Sequence, residues 1–137
     1  MRSLQTVMLL LLVLCMLALM IGAAAQDRAA TGTASGFVDG KADARTYNGY
    51  RRYNASCNHC HGPDGVGSTF GPSLVSALPA PDAFRRIVRE GKTTGTSVMR
   101  GFADDPNIAP YVDDLYAYLQ ARADGVLGRG RPPRLEP

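Results

Sequence analysis

The sequence predicts an all-α fold with three to four short helices. Three segments repeat apolar residues at intervals of three and four, the spacing of an amphipathic helix, and runs rich in Gly and Pro separate them. No stretch of sufficient length alternates apolar and polar residues as a half-buried strand does. Helices packed on one another, without a sheet, are therefore expected.

The first 25 residues are typical of an export signal. Arg2 supplies the positive start, Val7 to Ile21 is an apolar run of 15 residues, and Ala23-Ala24-Ala25 has the small-x-small form of a signal peptidase site. We predict a signal peptide over 1–25, cleaved after Ala25. The alternative is a retained anchor, because the 19 uncharged residues that end at Ala25 are just long enough to span a bilayer.

The mature chain begins with a segment that has no apolar period. Residues 26–41 are rich in Ala, Thr, Gly and Ser, so a flexible N-terminal arm is expected before a domain over 42–125. Asp43 can cap a first helix from Ala44 to about Asn54. An apolar stripe on that helix is formed by Tyr47, Tyr50 and Tyr53.

The middle of the chain is predicted as a loop, a helix and a second irregular run. Residues 62–71 form the loop, since Gly and Pro recur through them. Asp82 can cap a helix from Ala83 to Glu90 that ends at Gly91. Its apolar stripe consists of Phe84, Ile87 and Val88. The run from Lys92 to Arg100 is expected to be irregular.

The last helix is predicted to enter near Pro106 and Pro110, with Asp105 or Asn107 as its cap, and to end at Asp124. One apolar face is formed by Ile108, Val112, Leu115 and Leu119, and Tyr118 widens it. The remaining residues, 126–137, are predicted to be a basic flexible tail. Its basic residues are Arg129, Arg131 and Arg134.

The chemistry of the chain is concentrated in Cys57-Asn58-His59-Cys60-His61, a C-x-x-C-H motif. Each thiol can add across one vinyl group of a porphyrin, and one short turn brings both sulfurs to the same edge of the ring. The next residue, His61, then lies where a neutral imidazole can bind the iron. The motif therefore predicts one covalently bound haem c, attached through Cys57 and Cys60, with His61 as the proximal ligand.

Zinc and dithiol chemistry are weaker interpretations of this motif. A structural zinc ion needs four ligands in a tetrahedron, yet the only other Cys is Cys15, in the leader, and the only other His is His59, in the motif itself. A thioredoxin-like dithiol follows a strand in a βαβ unit, and no strand pattern precedes Cys57.

Two downstream residues complete the predicted iron site. Pro72 has a carbonyl that can accept from the second ring nitrogen of His61, which would orient the ring and strengthen it as a ligand. A simple turn role for Pro72 is equally compatible with the sequence. Met99 is the only methionine outside the leader, so its thioether is the expected distal ligand. Lys92, a tyrosine or no group at all are the alternatives.

The net charge of the mature chain limits the classes of partner that it could bind. Without the leader the chain carries 14 basic and 12 acidic residues, and two haem propionates would roughly cancel the difference. Such a balance does not indicate nucleic acid or an acidic membrane surface as a partner. The mature chain of 112 residues is expected to be one small monomeric domain without stable membrane insertion.

With these residues placed, the chain resembles the class I, or monohaem, c-type cytochromes over 42–124. The matching residues are Cys57, Cys60, His61, the Gly71-Pro72 turn and Met99. The resemblance implies a small cytochrome c fold in which the first and last helices cross, with Gly49 and Tyr53 facing Leu115 and Tyr118. Many members have Pro after the distal Met, whereas this chain has Arg100. We expect Arg100 to contact a haem propionate.

A narrower resemblance covers 48–133. Four runs look like the small periplasmic cytochromes that accept electrons from pyrroloquinoline-quinone (PQQ) alcohol or methanol dehydrogenases: 102–107, 116–119, 121–125 and 128–132. This likeness implies a periplasmic electron carrier, not an enzyme, with such a dehydrogenase as donor and a terminal oxidase or another cytochrome as acceptor. The alternative is a haem enzyme or gas-ligand sensor in which Met99 dissociates.

Overall fold

The computed structural model describes residues 36–136. The predicted signal peptide and most of the predicted arm lie outside these residues. The elements are, in chain order, strands β1 (Phe37–Val38) and β2 (Lys41–Ala42), helices α1 (Ala44–Arg52), α2 (Asn58–His61) and α3 (Pro81–Glu90), strands β3 (Gly91–Thr94) and β4 (Ser97–Arg100), and helix α4 (Val112–Ala123). The predicted helical fold is confirmed, and two short β-hairpins are added to it.

The first helix is capped at its start and is followed directly by further helical turns that end in the C-x-x-C-H motif. The carboxylate of Asp43 accepts a hydrogen bond from the Thr46 N–H at 2.7 Å, so the predicted cap is confirmed. The helix does not stop at Asn54. A π-helical segment, Tyr53–Cys57, follows α1 directly and joins it to α2, so the backbone stays helical as far as His61.

The first and last helices pack closely because Gly49 has no side chain. A Cβ at Gly49 would lie 1.9 Å from the Asp114 carbonyl oxygen, and 2.9 Å from the Cβ of Tyr118. The ring of Tyr118 contacts Tyr53 and Tyr50, with centroid distances of 5.5 and 5.7 Å. The predicted contact between these two helices is confirmed.

The core lies between α1, α3 and α4. It includes the whole predicted face of the last helix, together with apolar residues of the other helices and of the segments around them: Tyr53, Phe84, Val88, Phe102, Ile108, Val112, Leu115, Tyr118, Leu119, Ala121 and Leu127. Partly buried side chains, among them Cys57, Leu74 and Met99, pack against the edge of this cluster. Cys57 and Met99, two residues of the candidate site, thus pack against the same apolar cluster.

Two predicted helix starts are wrong. Asp82 does not cap α3, because the helix already begins at Pro81, whose fixed φ suits the first helical position. Asp82 instead pairs with Arg85 in the first turn, at 2.6 Å. The last helix begins at Val112, after a 3-10 turn at Ala109–Tyr111.

The prediction of Asp105 or Asn107 as the cap of the last helix is wrong, because Asp105 caps a turn before it. Its carboxylate accepts from the Asn107 N–H at 2.8 Å, within a turn. Pro110 lies in the 3-10 turn and not in α4.

The run from Lys92 to Arg100, which was expected to be irregular, belongs to a β-hairpin. Strands β3 and β4 pair antiparallel, with Lys92 opposite Met99 and Thr93 opposite Val98. Gly95, with φ of 60°, lies in the connecting turn. Most of these residues are exposed, so neither strand has the alternation of apolar and polar residues by which strands are recognised in a sequence.

Both ends of the described chain are more ordered than predicted. The last residues expected to be a flexible arm form the β1–β2 hairpin. The predicted loose tail pairs with this hairpin: the Ala42 N–H donates to the Pro133 carbonyl, and the Leu135 N–H donates to the Ala42 carbonyl, both at 2.8 Å. The predicted tail is thus hydrogen-bonded to the rest of the described chain at Pro133 and Leu135.

Candidate haem site

The two cysteines of the motif differ in their surroundings. Cys57 ends the π-helical segment and packs against the core, whereas Cys60 is exposed. Burial, and to a smaller extent the neighbouring Cys60, raise the pKa of the Cys57 thiol to about 12. A catalytic dithiol depends on a thiolate of low pKa, so Cys57 is poorly suited to such chemistry.

The imidazole of His61 is buried and has a defined tautomer. Its Nδ1 lies 2.9 Å from the Pro72 carbonyl oxygen, which is one of the two roles that the sequence allowed for Pro72. Because a carbonyl can only accept, Nδ1 carries the proton and donates. The lone pair of the neutral ring is then on Nε2, which is the nitrogen left to bind a metal.

Gly71 allows this contact to form. A Cβ at Gly71 would lie 2.9 Å from the Cys60 carbonyl oxygen and 3.0 Å from Nδ1 of His61. Since the first of these is a backbone atom, it has little room to yield. The Gly71-Pro72 pair therefore places the accepting carbonyl beside the imidazole.

Three successive carbonyls around His61 each accept a hydrogen bond. Ser68 donates from its hydroxyl to Cys60 at 2.5 Å, the Gly67 N–H donates to His61 at 2.8 Å, and the Tyr53 hydroxyl donates to Gly62 at 2.5 Å. The sequence did not predict the Tyr53 and Ser68 bonds. Tyr53 was expected only as part of an apolar stripe, and a hydroxyl in a Gly-rich loop carries no recognisable signal.

Met99 lies on β4, partly buried against the same core as Cys57. The base of its hairpin is fixed on the end of α3. A Cβ at Gly101 would lie 2.5 Å from the Arg89 carbonyl oxygen, and the Phe102 N–H donates to the Val88 carbonyl at 2.9 Å. The methionine is thus carried by a supported hairpin. That it pairs with His61 across a haem remains a prediction.

The side chain of Arg100 contacts two residues that follow strand β4, Phe102 and Asp105. Its side chain is three-quarters exposed, its guanidinium carbon lies 4.5 Å from the centre of the Phe102 ring, and Nη2 lies 4.0 Å from an oxygen of Asp105. The propionate contact expected for Arg100 remains a prediction.

These donors fit a covalently held haem better than a bare metal ion. Two thiols and an imidazole with a free Nε2 lie within five residues, and a thioether packs against the same core cluster as Cys57. Across residues 36–136, no group of three or more His, Cys, Asp or Glu side chains is arranged to hold a metal ion alone. The residues present therefore fit haem c.

Comparison with known proteins gives concordant matches. A sequence profile of the family described as "Cytochrome C oxidase, cbb3-type, subunit III" matches residues 44–119. Cytochrome c-553I of Paracoccus denitrificans is 44% identical over 104 residues, which are 72% of this chain and 46% of that protein. Cytochrome c-555 of Methylococcus capsulatus is 35% identical over 91 residues, which are 64% of this chain and 71% of that protein.

A solved structure is similar as well. The c-type cytochrome XoxG from Methylobacterium extorquens AM1 shares 47% identity and a TM-score of 0.65, over 69% of this chain and 60% of that one. The chain thus spans about half the length of cytochrome c-553I and less than two thirds of XoxG.

The profile covers the C-x-x-C-H motif, the Gly71-Pro72 turn and the Met99 hairpin. More than half of the chain matches, and a relative of similar length supports the same assignment. The chain therefore belongs to the cytochrome c family that this profile describes: it is a monohaem class I c-type cytochrome with one covalently bound haem c.

Proposed function

We propose that this cytochrome is a periplasmic one-electron carrier, and not an enzyme, that accepts electrons from a PQQ-dependent alcohol dehydrogenase and passes them toward a terminal oxidase or another cytochrome. The observation that carries the proposal is the hydrogen bond from His61 to Pro72. It leaves Nε2 as the metal-binding nitrogen of a residue that directly follows the two thiols.

Each site residue has a separate role in this proposal. Cys57 and Cys60 would hold the haem through two thioether bonds, and His61 and Met99 would bind its iron. When bound, the haem supplies one iron that alternates between the ferrous and ferric states. Ligation by a thioether as well as an imidazole would raise the reduction potential and leave no coordination position for a substrate.

The surroundings of His61 suit a carrier because they hold the ring in place. The Nδ1–H bond fixes the imidazole, and hydrogen bonds to the carbonyls of Cys60, His61 and Gly62 fix the backbone that bears it. A ligand held on all sides moves little when the iron changes charge. Supporting bonds of this kind also raise the basicity of the ligand.

An exposed aromatic side chain near Cys60 offers a docking point. Phe70 is 78% exposed, and its N–H donates at 3.0 Å to the Ser68 hydroxyl, which in turn donates to the Cys60 carbonyl. An exposed apolar side chain on the loop that is bonded to the Cys60 carbonyl would suit the small, short-lived interfaces of redox partners.

The identity of the donor is supported by similarity alone. The runs within 102–132 that resemble cytochromes of PQQ alcohol dehydrogenases include buried Phe102 and the capping residue Asp105, whose roles here are structural. The periplasmic location is supported by the sequence of residues 1–25. None of the helices formed by residues 36–136 has the length and apolar character needed to cross a membrane.

Stopped-flow reduction of the ferric protein tests the donor. We expect fast reduction by a PQQ alcohol dehydrogenase in the presence of its substrate, and no reduction by a nicotinamide-dependent alcohol dehydrogenase. Phe70→Ala should slow the reaction, whereas Val98→Ala, also at an exposed apolar residue, should not. If ascorbate reduces the protein but no quinoprotein dehydrogenase does, the donor is wrong and the carrier role stands.

An optical spectrum distinguishes the carrier from the haem enzyme or gas sensor. A carrier with a bound thioether should show the weak near-infrared sulfur-to-iron band in the ferric state and should not bind carbon monoxide in the ferrous state. Rapid binding of carbon monoxide by the unmodified protein would favour the alternative.

A further inference from the structure

Asp64 is a buried acidic residue in the turn that follows His61. The residue is 8% exposed, and its φ of 58° lies in the left-handed region that residues other than Gly seldom adopt. A buried carboxylate in such a conformation persists only where surrounding contacts stabilise it. Those contacts come from the other end of the chain.

Both the side chain and the main chain of Asp64 are bonded to the C-terminal region. Arg129 donates from Nε to Oδ2 at 3.1 Å, and the Gly130 N–H donates to Oδ1 at 3.0 Å. Arg122, which is buried on α4, donates to the Asp64 carbonyl at 3.3 Å and to the Leu127 carbonyl at 2.6 Å. We call residues 127–130 the C-terminal strap.

The turn held by the strap also holds the residues beside Pro72. The carbonyl of Gly65, next to Asp64, accepts from the N–H groups of Leu74 and Val75 at 2.8 and 3.1 Å. Leu74 is two residues after Pro72, whose carbonyl accepts from His61. A continuous series of hydrogen-bonded segments therefore links the strap to the imidazole.

We propose that the C-terminal strap is a positioning element for His61: Asp64, held by Arg129 and Gly130, fixes the turn that keeps the Pro72 carbonyl bonded to the imidazole. This inference rests on the proposed role of His61 as haem ligand. Loss of the strap contact would loosen the Pro72 bond, make the imidazole a weaker donor and thereby raise the reduction potential.

The strap itself provides a matched pair of variants. Arg129→Gln removes the charged donor to Asp64. Arg131→Gln removes a similar hydrogen bond of the tail, in which Nε of Arg131 donates to the Tyr47 hydroxyl at 2.9 Å. Tyr47 lies on α1, so this bond does not hold the turn after His61. Arg129 is 65% exposed, so its replacement should leave the protein folded.

Two measurements on the haem-loaded protein test the proposal. Hydrogen–deuterium exchange of peptides from 62–75 should be roughly fivefold faster in Arg129→Gln, because a partly exposed ionic hydrogen bond has been lost. The midpoint potential of this variant should also move upward. Arg131→Gln should leave both quantities as in the unmodified protein.

Each other outcome contradicts the proposal. Unchanged exchange in Arg129→Gln means that the strap does not hold the turn. Faster exchange at an unchanged potential means that the strap is structural and does not position His61. Equal effects of both variants mean that the tail acts only on overall stability. Because no partner enzyme is used, a wrong electron donor would not affect these results.

Discussion

At the scale of single residues, two buried tyrosines differ in one hydrogen bond. The hydroxyl of Tyr53 donates to Gly62, whereas that of Tyr118 has no partner among the described residues. Both rings are fully buried. Tyr53→Phe should lower the free energy of unfolding by about 1–3 kcal/mol, because it leaves a buried carbonyl without a donor. Tyr118→Phe should change it by less than about 0.5 kcal/mol or raise it.

Urea unfolding of the two haem-loaded variants, followed by circular dichroism, provides the comparison. The rings lose the same atom from equally buried positions, so the difference between the variants isolates the hydrogen bond to Gly62. Equal losses in both variants would show that the hydroxyl of Tyr53 contributes nothing beyond its packing.

Met99 is tested by removing its thioether. Met99→Ala should lower the midpoint potential by a substantial part of the roughly 0.8 V range that axial ligands span, and should allow the ferrous protein to bind carbon monoxide. Potentiometric titration and the carbon monoxide spectrum measure both effects. Val98→Ala is the control, since Val98 precedes Met99 on the same strand and is 73% exposed. An unchanged potential in Met99→Ala would exclude Met99 as a ligand.

A side-chain hydrogen bond could be predicted from the sequence only where its two partners lie close together in the chain. The bond from His61 to Pro72 joins residues 11 apart across a turn marked by Gly and Pro, and it was one of the two roles that the sequence suggested for Pro72. Asp64 was visible only as part of an Asp-Gly turn. Its partner Arg129 is 65 residues away, and no local pattern indicates which of the many arginines it meets.

At the scale of elements, the contact between α1 and α4 depends on Gly49. Gly49→Ala would normally stabilise a helix interior by about 1 kcal/mol. Here the added Cβ would meet the Asp114 carbonyl oxygen, so we expect a net loss of about 1–3 kcal/mol as the helices are forced apart. Thermal unfolding measures the change.

Gly128→Ala is the matched control for Gly49→Ala. Among the described residues, no atom lies within 4 Å of the Cβ that would be added at Gly128. This variant should therefore unfold at the same temperature as the unmodified protein or slightly above it. A Gly49→Ala protein that is as stable as Gly128→Ala would contradict the close approach of the two helices.

Elements with one buried face were predicted, and those without one were missed. Helix α4 was recognised from the spacing of Leu115, Leu119 and their neighbours, because burial demands apolar residues on that face. The β3–β4 hairpin is held by backbone bonds between largely exposed residues. Such bonds are independent of side-chain type, so the sequence carries little trace of them.

At the scale of the whole molecule, the two ends of the described chain meet. The β1–β2 hairpin pairs with Pro133 and Leu135, and the C-terminal strap binds the turn after His61. Composition alone suggested loose ends, because Gly, Pro and Arg are common in flexible segments. Order here comes from contacts between residues far apart in the sequence, which composition does not report.

The stability of the whole molecule should fall above about pH 10. Burial, more than any charge, raises the pKa of both Tyr53 and Tyr118 above the ordinary value of 10.0. The unfolded chain therefore loses these protons near pH 10 while the folded chain keeps them, so it binds fewer protons and the free energy of unfolding decreases as the pH rises. The greatest slope is about 1.4 kcal/mol per pH unit for each tyrosine.

Urea midpoints measured from pH 8 to pH 11 test this expectation. The double variant Tyr53→Phe, Tyr118→Phe has no phenol to ionise at either position, so its curve should descend less steeply above pH 10. Below pH 9 the two curves should run parallel, because both phenols are then protonated in the folded and the unfolded chain. Parallel curves up to pH 11 would mean that the folded protein releases these two protons as readily as the unfolded chain does, and that neither ring is as deeply buried as the packing of α1 against α4 implies.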